Sequence, residues 1–555
     1  MKKILLTVFS FLILSSFALA TTYTVTLLGV TLANPIVPKT WYATAAGAGL
    51  KTGTSQGNAW AGIQWGQVNI GDTIYMCGTF NTAQTIGVSG VSGYTITVRG
   101  DCPSNAGILD GAKVVTTWTS VSSNVYSTPG PFTLSPNLYG IVTEDDVALI
   151  AVPWNTNITT TAATMVSNTA TYSLGTWTYD PVGQLLYVLT TDATSPGGHT
   201  MEVSYGGQYT NLIYGAHSYV TIENLTIKNA GDYGIDLYSG TNNTVTGNTL
   251  YDISNWSVIG SYMTNLIVSN NTIHNVVWQA HAPDTSYYGE AIRFYSSSGS
   301  AFGNAITYSP SAGIDLYHTS GVVNVYNNTI HDNIGMNSNY SAGIYLDEGN
   351  NNNVYDNLIY NWDTGISLND ENGGAPSTSN KVYNNLNYNW YHTGIYLGGT
   401  NSYIASKNNL VYNNTFVVGP SAKGGGASQA LAVQGSSGDT FKNNIVYGAV
   451  YTDGYHWSLT PGNFDYNQYL NSTFAGAETS FAAWQTANGG DTHSGNTSPS
   501  LASIFTSAAG LNFELVAASS PIGAGLNLYS VFTTDYDGGA RQSNGAWDVG
   551  AYAYP

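Results

Sequence analysis

The sequence predicts an all-β solenoid of stacked coils with a small antiparallel insertion. Two repeating patterns carry that expectation. The first is an asparagine that precedes an apolar residue at Asn224, Asn248, Asn271, Asn304, Asn328, Asn357, Asn385, Asn414 and Asn444, at intervals of 23 to 33 residues. A period of that size marks stacked supersecondary units, each burying its apolar face against its neighbours. The second is a short segment with an apolar pair spaced i, i+2: Ile235/Leu237, Ile292/Phe294, Ile314/Leu316, Ile344/Leu346, Ile366/Leu368 and Ile395/Leu397. A period of two means strand, with the pair on one face and filling the lumen of the coil.

Along the chain, Met1 to Lys3, the apolar run Ile4 to Phe17 and Ala18-Leu19-Ala20 read as a signal peptide over residues 1–20. Extracellular or periplasmic secretion, without membrane insertion after cleavage, is therefore expected. Residues 21–137 read as N-terminal coils, with strands in Gly71–Phe80, Tyr94–Asp101 and Gly107–Ala112. Cys77 and Cys102 are 25 residues apart, about one coil. In an exported chain that spacing favours a disulfide between neighbouring coils over two buried thiols. Residues 138–216 break the rhythm. The segments Thr176–Asp180 and Gln184–Asp192, with a turn between them, read as an antiparallel insertion. The main array is expected over 217–450, and C-terminal coils and a closing segment over 451–555.

Composition narrows the partners. The formal charge is -19, and Lys and Arg total 13. Without a basic stripe, nucleic acid is excluded as a partner. A polyanionic glycan would be repelled unless cations bridge it. Charged residues are only 8% of the chain, yet many gather on the second repeating strand. Between the apolar pairs stand Asp236, Arg293, Asp315, Tyr345, Ser367 and Tyr396. Two residues on stand Tyr238, Tyr295, Tyr317, Asp347, Asn369 and Gly398, followed by His318, Glu348 and Asp370. Asp363 and His392 precede their strands. Polar residues on an outward strand face are ordinary. Aromatic rings mixed with carboxylates over consecutive coils are also what a sugar site requires. The asparagine column, by contrast, reads as turn and ladder chemistry.

These repeats resemble the right-handed parallel β-helix of the pectate-lyase-like superfamily. The insertion around Thr176–Asp192 with His199–Tyr205, and the tail Ser519–Tyr554, are similar to segments of exported β-helix proteins of glycan-degrading bacteria. In that setting the tail would cap the open end of the solenoid. The resemblance implies a monomeric, exported, polysaccharide-degrading enzyme.

One coil and two residues separate Asp315 from Asp347, roughly 8 Å, a spacing suited to inverting hydrolysis. The first reading is therefore a glycoside hydrolase with that carboxylate pair. Arg293 and His318 would assist, and Tyr295, Tyr317, Tyr345, Asn369 and His392 would contact the glycan. No cofactor is required. Glu348 and Asp370 occupy matching positions of adjacent coils, roughly 5 Å apart, close enough to share a proton or bind Ca²⁺. The alternative is accordingly a Ca²⁺-dependent polysaccharide lyase acting by β-elimination on a uronide, with Tyr317 or His318 as base. A second alternative is a non-enzymatic glycan-binding surface protein or adhesin.

Overall fold

The computed structural model describes residues 36–122, 124–130, 132, 140–151, 174–180, 183–204, 211–276, 289–309, 311–333, 341–370, 374–398, 404–420, 428–452 and 462–555. The expected signal peptide, Glu371, and the loop 278–288 lie outside them. Among the described residues, three long sheets hold 14, 13 and 12 strands. Nearly every pairing in them is parallel and joins one coil to the next, which makes the chain a β-helix. The inward residues of each strand are fully buried along one continuous lumen, from Ala43 and Ile74 through Ile292, Ile314 and Ile344 to Phe441 and Phe464. No helix among the described residues is long and apolar enough to cross a membrane.

The asparagine column forms a hydrogen-bonded ladder. The Nδ2 of Asn248 donates to Oδ1 of Asn271 at 3.0 Å, and the same bond repeats through Asn304, Asn328, Asn357, Asn385, Asn414 and Asn444 to Asn467. Each Oδ1 also accepts a backbone N–H of the preceding coil, as Asn357 does from Asn328 at 3.1 Å. Asn467 then donates to Asp491 Oδ1 at 3.3 Å. A shorter ladder runs Asn380 to Asn409 to Asp439. Asn224 falls one residue outside the column. Its place is taken by Leu225, whose N–H donates to Asn248 Oδ1. Asn224 instead occupies the left-handed corner before the ladder (φ 55°), equivalent to Asn270 and Asn327 in later coils.

The antiparallel unit forms as expected, with Thr176–Asp180 pairing Leu185–Leu189. It also draws in strands upstream of residue 138: Ala112–Val114, Thr119–Ser122 and Val125–Pro129. The coil stack continues beneath it, because Ile96–Arg99 pairs directly with Val220–Glu223. Lys228 fastens the unit to the stack through Asp146 at 2.7 Å and Glu202 at 3.2 Å, and meets Asp110 of the adjacent coil at 3.4 Å. The Cys77–Cys102 disulfide is formed and ties adjacent coils.

The C-terminal closure differs from the expectation in its parts. The end of the lumen is plugged by helix α1 (Phe481–Asn488), whose buried Trp484 meets Phe464 edge-on at 5.3 Å. The tail from Ser519 lies along the flank. There the corner residues Asn384, Asn413 and Asn443 present amide groups that the tail satisfies. Arg541 Nη2 donates to Asn384 Oδ1 at 3.2 Å, and Asn443 Nδ2 donates to the Leu526 carbonyl at 2.8 Å.

Candidate active site on the 12-stranded sheet

Eight strands of this sheet concern the site: β1 (Ile235–Tyr238), β2 (Val258–Ser261), β3 (Ile292–Tyr295), β4 (Ala312–Tyr317), β5 (Ala342–Asp347), β6 (Thr364–Asn369), β7 (Thr393–Leu397) and β8 (Gln429–Val433). Their register sets two outward columns. One runs Arg293, Asp315, Tyr345, Ser367, Tyr396; the other runs Tyr295, Tyr317, Asp347, Asn369. Asp315 and Asp347 are thus offset by one coil and two residues, as the sequence implies. β2 was absent from the sequence pattern because Gly260 replaces the second apolar residue of its pair.

The polar face is not an open, wetted surface. Asp315, Tyr345, Asp347, Glu348, Asn369 and Asp370 are all buried. Exposure is concentrated at His318, whose side chain is 40% exposed, and along the tyrosines of β1 to β4.

Arg293 is held from four sides. Nη1 lies 3.4 Å from Glu290 and Nε lies 3.4 Å from Asp315. The guanidinium sits over the rings of Trp256 at 5.1 Å and Tyr317 at 4.6 Å. Burial alone would push its pKa down, but Glu290, Asp315 and Asp347 outweigh that and hold it above the usual arginine value. Sequence reading missed Glu290 and Trp256 as partners. Glu290, three residues before Arg293, was a legible signal, whereas Trp256 belongs to the coil masked by Gly260.

Beside this cluster, Asp347, Glu348 and Asp370 each bring a carboxylate oxygen within 4.8 Å of the others. Three hard oxygen donors at that spacing suit Ca²⁺. Gly374 lies against Glu348: a Cβ there would stand 2.7 Å from Oε1, so a larger residue would shift that carboxylate. Burial and the neighbouring Asp370 push the Glu348 carboxyl up to about 7. His318 Nδ1 lies 2.9 Å from Glu348 Oε2, yet burial lowers the imidazole pKa. Around neutral pH this contact is therefore a hydrogen bond and not a permanent ion pair. Tyr317 packs against His318 with ring centroids 4.1 Å apart, and burial and Asp347 raise its pKa, so its phenol stays protonated.

Two expected members stand apart. Tyr345 is buried with Ala312 and Ala342, and its hydroxyl accepts from Asn369 Nδ2 at 3.4 Å, so its ring offers no sugar platform. His392 precedes β7, four residues before Tyr396 and roughly 13 Å along the strand from the Arg293–Asp315 column. It stands at the start of its strand, away from the two columns.

With this geometry in hand, comparison with known proteins bears on the fold. A family described as the right-handed beta-helix region matches residues 191–330 and 288–446. The structure of XylC in complex with xylose superposes with a TM-score of 0.58 at 14% identity, covering 93% of this chain and 98% of its own. The pectate lyase Pel9A matches at 14% identity, TM-score 0.43, over 94% and 97% of the two chains. An alginate lyase from Paenibacillus sp. str. FPU-7 matches at 15% identity, TM-score 0.39, over 76% and 95%. No curated protein matches the chain in sequence. The chain has the right-handed parallel β-helix fold.

Proposed function

We propose that the protein is a polysaccharide lyase that cleaves a uronic-acid-containing glycan by Ca²⁺-dependent β-elimination. The observation that carries this reading is the buried triad Asp347, Glu348 and Asp370 beside the exposed imidazole of His318. Those three carboxylates would hold the ion, which when bound supplies positive charge to offset the uronate carboxylate and acidify the adjacent C–H. In a chain of charge -19, a polyanion needs that compensation.

His318 serves as the base. Its Nδ1–H donates to Glu348, which leaves the Nε2 lone pair to take the proton at C5. As that C–H bond breaks, the C4=C5 double bond forms and the C4–O bond breaks. The departing glycosidic oxygen keeps the bonding electrons and takes the phenolic proton of Tyr317. Arg293 is engaged by two carboxylates and two rings and is not free to act as a base; it fixes Asp315 and the face of Tyr317. That engagement also weighs against the hydrolase reading. A carboxylate facing a guanidinium is a poor place to keep the acid proton that inverting hydrolysis needs.

The test is a panel of polyuronides and neutral glycans, followed for both reducing ends and ultraviolet-absorbing unsaturated ends. The expected result is an unsaturated product from a polyuronide, abolished by chelator and restored by Ca²⁺. Reducing ends without unsaturation would establish hydrolysis instead, and chelator-insensitive elimination would remove the metal role.

A further inference from the structure

The tyrosines of β1 to β4 extend well beyond the reacting groups. Tyr238 meets Tyr262 at 5.5 Å, Tyr262 meets Tyr295 at 5.1 Å and Tyr295 meets Tyr317 at 5.3 Å. The row ends against His318. Tyr238 is 44% exposed and Tyr262 is 48% exposed, among the more exposed large side chains of the molecule. The Tyr262 hydroxyl donates to the Tyr295 hydroxyl at 3.2 Å, which fixes the outer ring relative to the inner one. Tyr262 itself follows its strand in the left-handed region (φ 56°), an unfavourable conformation for an aromatic residue that lifts the ring out of the strand column.

A second tyrosine row on the 14-stranded sheet shows what ordinary stacking looks like. There Phe302, Tyr326, Tyr355 and Tyr383 stack with interplanar angles of 10°, 5° and 3°, so each ring hides its faces against its neighbours. In the site row, Tyr238–Tyr262 and Tyr262–Tyr295 meet at 75° and 63°. Tilted rings leave faces uncovered, and an uncovered aromatic face is what the C–H face of a pyranose stacks on.

We infer that this row is an extended glycan track. The substrate lies across the strands along the helix axis, with the arm on the N-terminal side of the reacting bond held by Tyr238 and Tyr262. The span from β1 to β4 is three coil steps, roughly 14 Å, long enough for an oligosaccharide arm and not just one ring. The track also answers the charge problem. Uncharged rings hold a polyanion against a strongly acidic protein without adding repulsion, and they are continuous with the Asp347, Glu348 and Asp370 triad where a cation would sit. The inference rests on the reading of the neighbouring site as glycan-processing, and it adds that recognition depends on chain length.

The experiment compares the full-length protein with Tyr238→Ala, Tyr262→Ala and the double variant, using Tyr529→Ala, an exposed tyrosine on the tail, as control. Affinity electrophoresis through gels containing polyuronide reads binding without any need for turnover. The wild type and the control should be retarded, and the double variant should lose roughly ten-fold in affinity, the size two aromatic contacts supply. In kinetics, the wild type should show a KM that falls with oligosaccharide length, and the double variant should lose that dependence. Equal retardation of wild type and double variant, or no retardation of either, would overturn the track. Loss of retardation in the double variant of a protein that turns over no glycan would keep the track and overturn the lyase reading. Normal length dependence in the double variant with normal elimination would do the reverse.

Discussion

Glu348 and His318 both occupy left-handed backbone, at φ 53° and 50°. Ser239, Tyr262 and Ser296 take the same conformation at the equivalent corner of the preceding coils, so it belongs to the fold. Glu348 allows a signed test. Its carboxyl sits at about 7 in the folded protein against 4.5 ordinarily. The folded state therefore holds this proton more tightly than the unfolded chain. The resulting stabilisation is full below 4.5 and is lost as pH rises through 7. In chelator, thermal melts should show the wild type losing stability relative to Glu348→Gln across that interval, and parallel curves would refute the assignment. Added Ca²⁺ should stabilise the wild type increasingly over the same rise in pH, and Glu348→Gln much less. His318→Gln should lower kcat by about 10²- to 10⁴-fold, the usual contribution of a positioned base, with an unchanged melting temperature. At this scale the sequence showed which way each side chain points, since alternation in a strand fixes that. It could not show that Asp315 and Tyr345 would be covered, because burial of an outward face depends on residues far away in the chain.

At the scale of the element, the asparagine ladder is both the ruler and the frame of the site. Asn357 donates to the carbonyls of Val325 and Tyr355 and to Asn385, and accepts from Asn328. Asn357→Ala would strand several buried polar groups at once, each costing about 1–3 kcal/mol. We expect about 3–5 kcal/mol of local destabilisation, read as faster amide hydrogen exchange in the coils around residues 325–385. Asn224→Ala, at the corner and outside the ladder, should cost only about 1–2 kcal/mol through its left-handed backbone. That contrast explains a misreading that sequence invites: Asn224 carries the right letter one position early, and only the bond from Leu225 to Asn248 reveals the slip. The coil containing β2 escaped notice for the opposite reason. Its backbone keeps the register while Gly260 removes the side chain by which the eye recognises it.

The whole molecule is a stack that must be closed, tied and kept in register from one end to the other. The Cys77–Cys102 bond closes a 25-residue loop near the first coils. Replacing both cysteines should cost about 3 kcal/mol by the loop-entropy argument, felt at the N-terminal end and not at the site. Trp484→Ala should expose the last lumen aromatic and let the C-terminal coils fray, detected as proteolysis near residues 464–500 before any change near β4 and β5. Length, period and strand alternation made this architecture legible. The division of the C-terminus into a plug and a flanking strap was not, because neither segment repeats.

The ladder has one further property that follows from its direction. Every side-chain amide in it donates toward the next coil and accepts from the previous one, so the amide dipoles add head to tail along the axis, as peptide dipoles do in an α-helix. The row therefore has poles, with its donor end at the C-terminal side. Both ladders finish there on an aspartate, Asp491 for the long one and Asp439 for the short one. An anion at the positive pole is the complement such a row requires. The solenoid thus carries an electrical polarity written in asparagine, and an acidic residue marks where each row stops.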